Sequence, residues 1–182
     1  MSRRTRPGRG SMVVSDTNIL GSFAAADALP SLFAVLLTDV ITIPPAVEAE
    51  IQVGVARGAA HLRQLLDMVA DGRLVVVTLD EPALALAATL PRKLNAGERE
   101  AIGLAAQQQA VLLTNDRRAL NYCATAQIAT LDLKQLLRGL WVRKVVTRAD
   151  VRTMIARMER VDRSVFLERD LQLIFAPRRR RR

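Results

Sequence analysis

Two acidic residues each follow a short apolar run and stand beside small polar side chains. In VVSDTN, Asp16 ends one run and precedes Thr17. In VLLTND, Asp116 follows a second run, with Thr114 and Asn115 between the run and the acid. An acid at the end of a buried strand costs desolvation energy unless a positive charge meets it. Two acids placed in this way suggest that both meet the same cation.

Two glutamates in segments with helical signals add further carboxylates. In PPAVEAEI, the paired prolines suit the first turn of a helix, and Glu50 borders the apolar stripe of that helix. In LNAGERE, the spacing of Asn95 and Glu98 matches a capping box, in which Glu98 would only accept a hydrogen bond from the helix start. Clustered carboxylates repel one another unless they are protonated or neutralised, and a hard divalent cation neutralises them. The four acids together favour an all-oxygen site for Mg²⁺ or Mn²⁺.

Short apolar, β-branched runs alternate along the chain with segments of helical spacing. Four apolar residues from Leu62 to Val69, for example, lie on one face of a predicted helix. This alternation predicts an α/β fold with a mostly parallel sheet covered by helices on both faces. Sites in such sheets lie at the carboxyl ends of the strands, where Asp16 and Asp116 are found. The predicted strands are residues 12–15, 40–43, 74–78, 111–114 and 128–131.

After Trp141 the sequence changes to two helical segments. Thr147 is a predicted N-cap, and apolar residues recur at helical spacing from Val151 to Val161. A second helical pattern covers residues 164–174. We expect these helices to pack on the domain or to be exchanged with a second copy, with an exposed apolar stripe available for a partner.

The composition is that of one ordinary domain without a membrane span. The 182 residues can bury a core, and no apolar run approaches the roughly 20 residues of a transmembrane helix. The basic N-terminus lacks the apolar segment of a secretory signal. Cys123 is the only cysteine, which excludes an internal disulfide and fits a reducing compartment. We therefore expect a cytoplasmic protein that does not bind membranes.

The net charge of +9 is concentrated at the two ends of the chain. Residues 1–11 hold four Arg and residues 178–182 hold five, with no acid in either segment. Between them, residues 12–116 carry six basic and twelve acidic side chains, whereas residues 117–170 carry twelve basic and six acidic. The Arg tails are either solvated ends or segments that attract nucleic acid.

Four motifs together resemble those of PIN-domain proteins. They are VVSDTNIL, the P-x-V-x-x-E of PAVEAE, the GE of NAGEREAIGLA, and LLTNDRRA, in this order and at these separations. The resemblance covers roughly residues 12–140 and is strongest to the prokaryotic VapC-like toxin ribonucleases. It implies a three-layer α/β/α sandwich around a parallel sheet of four or five strands.

The resemblance also implies an activity and a set of residues for it. The activity is Mg²⁺- or Mn²⁺-dependent hydrolysis of RNA phosphodiesters by an endoribonuclease, as the toxin of a toxin–antitoxin pair. Asp16, Glu98 and Asp116 would hold the metal. Glu50 would bind a second ion or orient the attacking water.

Further residues and partners follow from the same resemblance. Thr17, Thr114 and Asn115 would support the site, although many relatives carry a second acid at the position of Asn115. Apart from the resemblance, the positive charge of Arg117 and Arg118 beside the last acid makes them candidates for contact with RNA. The implied protein partners are a small antitoxin and a second copy of the chain, in a homodimer.

The predicted organisation has four parts. Residues 1–11 form a basic, disordered segment, and residues 12–140 form the PIN-like nuclease domain. Residues 141–177 form a C-terminal helical extension that goes beyond the compact toxins, and residues 178–182 form the Arg tail. This extension leaves open a PIN nuclease that processes RNA outside a toxin system.

Other sequence features leave two rival classes. His61 is the only histidine, so no histidine relay or zinc cluster can form, and the glycines lack the Gly-Lys-Ser/Thr of a P-loop. One rival is a non-catalytic RNA-binding module in which the acids are structural. The other is a phosphoacceptor domain of the receiver type, which needs a lysine after the last strand, and Lys134 is its candidate. That class gives Glu50 and Glu98 no role.

Overall fold

The computed structural model describes residues 12–177, and its centre is a five-stranded sheet in which every pair of neighbouring strands is parallel. The order across the sheet is β3-β2-β1-β4-β5. The predicted segments 1–11 and 178–182 lie outside the described residues. All five predicted strands are present, each slightly shorter than its apolar run. They are β1 (Val13–Ser15), β2 (Ile41–Ile43), β3 (Leu74–Val76), β4 (Val111–Leu113) and β5 (Thr130–Leu131).

Helices connect the strands and cover both faces of the sheet. Within residues 12–177, no helix is both long and apolar enough to cross a membrane. A 3₁₀ turn, Ala60–Leu62, precedes α4. The helices are α1 (Thr17–Ala25), α2 (Leu29–Leu36), α3 (Pro45–Ala56), α4 (Arg63–Ala70), α5 (Glu81–Thr89), α6 (Ala96–Gln107), α7 (Arg117–Thr125), α8 (Leu133–Val142), α9 (Arg148–Val161) and α10 (Glu168–Phe175).

The hydrophobic core is divided by the sheet into two clusters. Val13 belongs to the larger cluster and Val14 to the smaller one, because successive side chains of a strand point to opposite faces. In β4, Leu113 joins the larger cluster and Leu112 the smaller one. The α/β/α sandwich predicted from the sequence is therefore confirmed.

The central strand β1 fixes where the polar edge of the sheet lies. It pairs with β2 on one side and with β4 on the other, and Ser15 is level with Leu113. The backbone N–H of Asp16 also donates to the carbonyl of Leu113 at 3.1 Å. The chain therefore leaves both strands at the same edge, immediately before the polar residues of each.

The C-terminal helices pack on the domain. This packing buries most of the apolar stripe from Val151 to Val161, which we expected to be exposed for a partner. Thr147 caps α9 as predicted, in a capping box with Asp150. Val151 and Met158 are fully buried in the larger core cluster, and only Val161 at the end of the stripe is exposed. The expectation of an exposed stripe on α9 is wrong, because α1 and α8 cover it. The next helix also begins later than predicted, at Glu168.

Arginines of the C-terminal half hold helix ends together. Arg138 on α8 donates to four carbonyls at the end of α10, including that of Ala176. Arg143 donates to the carbonyl of Val35 near the end of α2. Arg157 on α9 donates to the carbonyl of Ala26, at the end of α1. Carbonyls at helix C-termini lack intrahelical partners, so these guanidinium groups satisfy them and complement the helix dipole.

Candidate active site

Asp16 and Asp116 occupy equivalent positions at the carboxyl edge of the sheet. Asp16 is the N-cap of α1, where its Oδ1 accepts a hydrogen bond from the N–H of Ile19 at 3.0 Å. Asp116 is the N-cap of α7, where its Oδ1 accepts from the N–H groups of Arg118 and Ala119 at 2.7 and 2.9 Å. Both acids are therefore helix caps. Capping accounts for one oxygen of each carboxylate.

The second oxygen of Asp16 is buried without a hydrogen-bond partner. The residue is 2% exposed, and Oδ2 accepts no hydrogen bond from residues 12–177. Burial raises the pKa of this carboxyl from its ordinary 3.8 to about 6, against opposing effects of the nearby Thr114 hydroxyl and the Ile19 N–H. The charges of Glu98 and Glu50 raise this pKa further. A buried polar atom without a partner is costly, so Oδ2 is the strongest indication of a ligand site within residues 12–177.

Glu50 joins three helices through its carboxylate. Its Oε2 accepts from the hydroxyl of Thr17 on α1 at 2.5 Å, and its Oε1 accepts from the N–H of Gly97 on α6 at 3.1 Å. A Cβ atom at Gly97 would lie 2.7 Å from both carboxylate oxygens, so the glycine is what lets Glu50 approach the helix. Both oxygens of Glu50 are therefore occupied within the protein.

Glu98 combines a capping role with a place beside the other acids. It forms the predicted capping box with Asn95, whose N–H donates to Oε2 at 2.9 Å. Burial raises the pKa of Glu98, the Asn95 N–H lowers it, and the charges of Asp116 and Glu50 raise it again. The nearby guanidinium of Arg118 acts in the opposite direction. The capping interpretation is thus right but incomplete, because the same carboxylate faces two other acids.

The remaining predicted residues lie around Asp116. Thr114 is buried, and its hydroxyl accepts from the N–H of Asp116 at 3.3 Å, which supports the turn into α7. Asn115, Arg117 and Arg118 are exposed. The structure therefore brings the predicted polar groups to one edge and leaves the two arginines facing solvent.

The chemistry of these acids fits a hard cation, but the side chains are not gathered around one point. Asp16, Glu98 and Asp116 each use one oxygen for a helix start, and the other oxygen accepts no hydrogen bond from residues 12–177. Carboxylate oxygens are the ligands that Mg²⁺ and Mn²⁺ prefer. Within residues 12–177, however, no three His, Cys, Asp or Glu side chains are placed to hold one ion together. Binding would need rotation of these carboxylates toward each other.

Glu100 is an acid whose structural role the sequence did not reveal. It lies on α6, and its Oε2 accepts from the N–H of Ala46 at 2.9 Å. Pro44, the N-cap of α3, supplies no side-chain acceptor, so Glu100 caps that helix from its neighbour. No local signal could have shown this, because the two residues are far apart in sequence.

A polar cavity beside Asp116 was also not foreseen. Its volume is about 310 Å³. Asn18 belongs to the first motif, and Asn115 and Asp116 belong to the last, but nothing in the sequence placed the other lining residues beside them. The cavity is lined by Asn18, Ser22, Asn115, Asp116, Asp162 and Ser164.

The residues that other kinds of chemistry would use have structural roles. Lys134 lies on α8 and pairs with Asp132 and Asp170 at 3.7 and 3.9 Å, which does not suit the lysine of a receiver domain. Cys123 is fully buried, and burial raises the pKa of its thiol to about 11, so it acts as a small apolar side chain. His61 lies in the 3₁₀ turn, with Nε2 4.0 Å from Asp162 Oδ1.

Comparison with known families agrees with this architecture. The family model of the PIN domain matches residues 12–171, so the protein belongs to the PIN-domain family. PIN domains are generally nucleases and typically use divalent metals. The match confirms the family predicted from the four motifs and continues through α9 into α10, beyond the range 12–140 of that resemblance. No curated protein matches the chain. A special likeness to VapC-like toxins stays a prediction, as does the division at residue 140.

Proposed function

We propose that the protein is a divalent-cation-dependent endoribonuclease that hydrolyses RNA phosphodiesters at the acidic edge, the carboxyl edge of the sheet with Asp16, Glu50, Glu98 and Asp116. The observation that carries the proposal is the buried, unpartnered Oδ2 of Asp16, beside the charges of Glu50 and Glu98. A group in this position is stabilised by a cation and destabilised without one. Mg²⁺ or Mn²⁺ suits an all-oxygen site and leaves coordination positions for water and phosphate.

The acids take different roles in this proposal. When bound, the cation supplies Lewis-acid activation of water and neutralises charge on the phosphodiester. Asp16, Glu98 and Asp116 hold it through the oxygens that their capping hydrogen bonds leave available. Glu50 orients its neighbours, because its two oxygens already bind Thr17 and the start of α6. This favours a positioning role for Glu50 over ligation of a second ion.

The proposal also includes RNA as the substrate and a biological setting. Arg117 and Arg118 are exposed at the start of α7, immediately after Asp116, where they can neutralise phosphates on either side of the cut. The motif resemblance to VapC-like toxins supports a cytoplasmic toxin with a small antitoxin and a homodimeric state. A PIN nuclease that processes RNA outside a toxin system uses the same site.

The test is cation-dependent cleavage of single-stranded RNA by the purified protein. We expect activity with Mg²⁺ or Mn²⁺, none in excess EDTA, and binding without turnover for Ca²⁺, whose coordination geometry is looser. Asp132→Asn is the matched control, because Asp132 also follows a strand of the sheet and caps a helix, α8. Asp116→Asn should be inactive while Asp132→Asn keeps wild-type activity. Full cleavage in EDTA contradicts the proposal.

A second candidate is a non-catalytic RNA-binding module whose acids only cap helices. It is favoured by the capping bonds of Asp16, Glu98 and Asp116 and by the lack, within residues 12–177, of a ready three-ligand group. This module would bind RNA equally well with Mg²⁺ and with EDTA, and would cut it under neither condition.

A further inference from the structure

The polar cavity beside Asp116 has a wall that comes from a distant part of the chain. The segment between α9 and α10 contributes Asp162 and Ser164, and the first turns of α1 contribute Asn18 and Ser22. Asp116 lines the cavity and also belongs to the acidic edge. The cavity is therefore adjacent to the point where a phosphodiester would be cut.

Hydrogen bonds fix this wall in place. The hydroxyl of Ser22 donates to Asp162 Oδ2 at 2.7 Å, and the hydroxyl of Ser164 reaches the same oxygen at 3.0 Å. The other oxygen of Asp162 faces His61 at 4.0 Å. One carboxylate thus joins α1, the 3₁₀ turn and the segment after α9. The polar groups of the cavity are held before any ligand arrives, as they are in most small-ligand sites.

The lining selects a class of ligand. From residues 12–177 it contains two carboxylates, two primary amides and two hydroxyls, and no Lys, Arg or aromatic residue of that range lines it. The carboxylates repel a phosphate, and without an aromatic face there is no stacking platform. Amides and hydroxyls each donate and accept hydrogen bonds, which suits the edge of an uncharged heterocycle. The volume of about 310 Å³ is at the lower end of the roughly 300–1,000 Å³ typical of small-ligand pockets.

We propose that this cavity binds the base of the nucleotide next to the scissile phosphate and sets the sequence preference of cleavage. Asn18 and Asn115 read the hydrogen-bonding edge of the base, and Ser164 completes the contact. Asp162 is a positioning residue, since its carboxylate is occupied by Ser22 and Ser164. Single-stranded RNA presents unstacked bases whose edges can be read in this way. The role of the cavity in cleavage preference rests on the proposed ribonuclease activity. Its binding of a base rests on the cavity alone.

The test compares cleavage-site profiles on an RNA oligonucleotide with a randomised central segment. The variants are Asn18→Ala and Ser164→Ala, with Asn121→Ala as the matched control, because Asn121 is exposed on α7 and does not line the cavity. Loss of one hydrogen bond should reduce the preference at one flanking position by about 3- to 10-fold. The profile at all other positions should be unchanged, and thermal unfolding verifies that each variant is folded. A wild-type protein without preference, or variants with the wild-type profile, would overturn the proposal.

A second measurement separates this proposal from that of the nuclease activity. Adenosine, guanosine, cytidine and uridine are titrated separately into the cation-free wild-type protein, and the side-chain amide NMR signals of Asn18 and Asn115 are followed. At least one nucleoside should shift these signals, and the shifts should be smaller in Ser164→Ala. This result would support base binding in the cavity even if no RNA is cut. If no RNA is cut and no nucleoside shifts these signals, both proposals fail.

Discussion

The acidic edge of the sheet and the arginine-rich C-terminal helices both place charged side chains at helix ends. The acids lie at helix N-termini, and the arginines lie at helix C-termini. At the edge, Asp16 and Asp116 accept hydrogen bonds from the N-terminal N–H groups of α1 and α7. In the C-terminal region, Arg138 and Arg143 donate to the C-terminal carbonyls of α10 and α2. Both arrangements place a charge where the helix dipole favours it.

The two regions differ in what remains free after these contacts. Each acid of the edge, apart from Glu50, keeps an oxygen without a hydrogen-bond partner in the described chain. The arginines instead contact helix-end carbonyls or aromatic rings, and Arg138 and Arg148 contact both. Arg148 lies 4.1 Å from the centroid of the Trp141 ring, and Arg152 lies 4.3 Å from that of Phe175. The positive charge of residues 117–170 therefore serves packing to a large extent. Net charge along a segment overstates what that segment can offer to RNA.

The largest expected effect comes from removing one carboxylate at the edge. Asp16→Asn, Glu98→Gln and Asp116→Asn should each reduce RNA cleavage by about 100-fold or more, because each removes a proposed metal ligand. Glu50→Gln should be milder, since Glu50 acts through Thr17 and the start of α6. Initial rates of cleavage of a single-stranded RNA by the wild type and the four variants measure this ranking. Wild-type rates in any of the three would refute the assignment of the site.

The next effect concerns the stability of the edge without a cation. The pKa of Asp16 is about 6 in the folded protein and 3.8 in the unfolded chain, so its stabilising contribution is lost as pH rises through 6. Asn keeps the N-cap without the buried charge. In EDTA, Asp16→Asn should therefore be more stable than wild type by about 3 kcal/mol above pH 7, and equally stable near pH 3.

Urea unfolding at several pH values measures this difference. Addition of Mg²⁺ at pH 7 should stabilise the wild type more than Asp16→Asn, because only the wild type has the buried carboxylate to neutralise. A constant difference between the two proteins from pH 3 to pH 8 would show that Asp16 does not titrate as described.

A smaller loss of stability is expected in the arginine-rich region. Arg138→Ala removes the donor to the end of α10 and the contact with the Trp141 ring, and should lower the free energy of unfolding by about 1–3 kcal/mol. Arg169→Ala is the control, because Arg169 is exposed at the start of α10. Cleavage by the folded Arg138→Ala protein should keep its rate. A lower rate with unchanged stability would instead place Arg138 in RNA binding.

The smallest effect concerns the two arginines beside the edge. Arg117 and Arg118 make no side-chain hydrogen bond or ion pair to residues 12–177, so both are available for phosphates. Replacing both by Ala should reduce the slope of log affinity against log salt by about 1.4 for a single strand. Fluorescence anisotropy with labelled RNA across a salt series measures the slope. An unchanged slope would assign RNA capture to other residues.

The sequence predicted the features that depend on neighbouring residues. The five strands, the capping box of Asn95 with Glu98 and the cap at Thr147 are local patterns, and all are present. The common edge of Asp16 and Asp116 followed from parallel strands alone. These inferences needed only periodicity, cap chemistry and strand direction.

The remaining features depend on side chains that meet across long separations. Ser22 binds Asp162 across 140 residues, and Arg138 reaches Ala176 from a different helix. Such contacts leave no periodic signal in the chain, so neither the cavity nor the sequestered arginines could be predicted. The stripe of α9 was expected to be available for a partner for the same reason. Amphipathicity shows that one face of a helix is covered, but it does not show which element covers that face.

The central place of β1 in the sheet has a consequence for synthesis of the protein. Among the strands of residues 12–177, β1 is the first to leave the ribosome, yet its partner β4 follows about a hundred residues later. At about 5–20 residues per second, on the order of 5–20 s separates the translation of Asp16 from that of Asp116. The acidic edge cannot assemble during this interval. If the proposed ribonuclease activity holds, the messenger RNA under translation meets no complete site until residues 12–116 have been made.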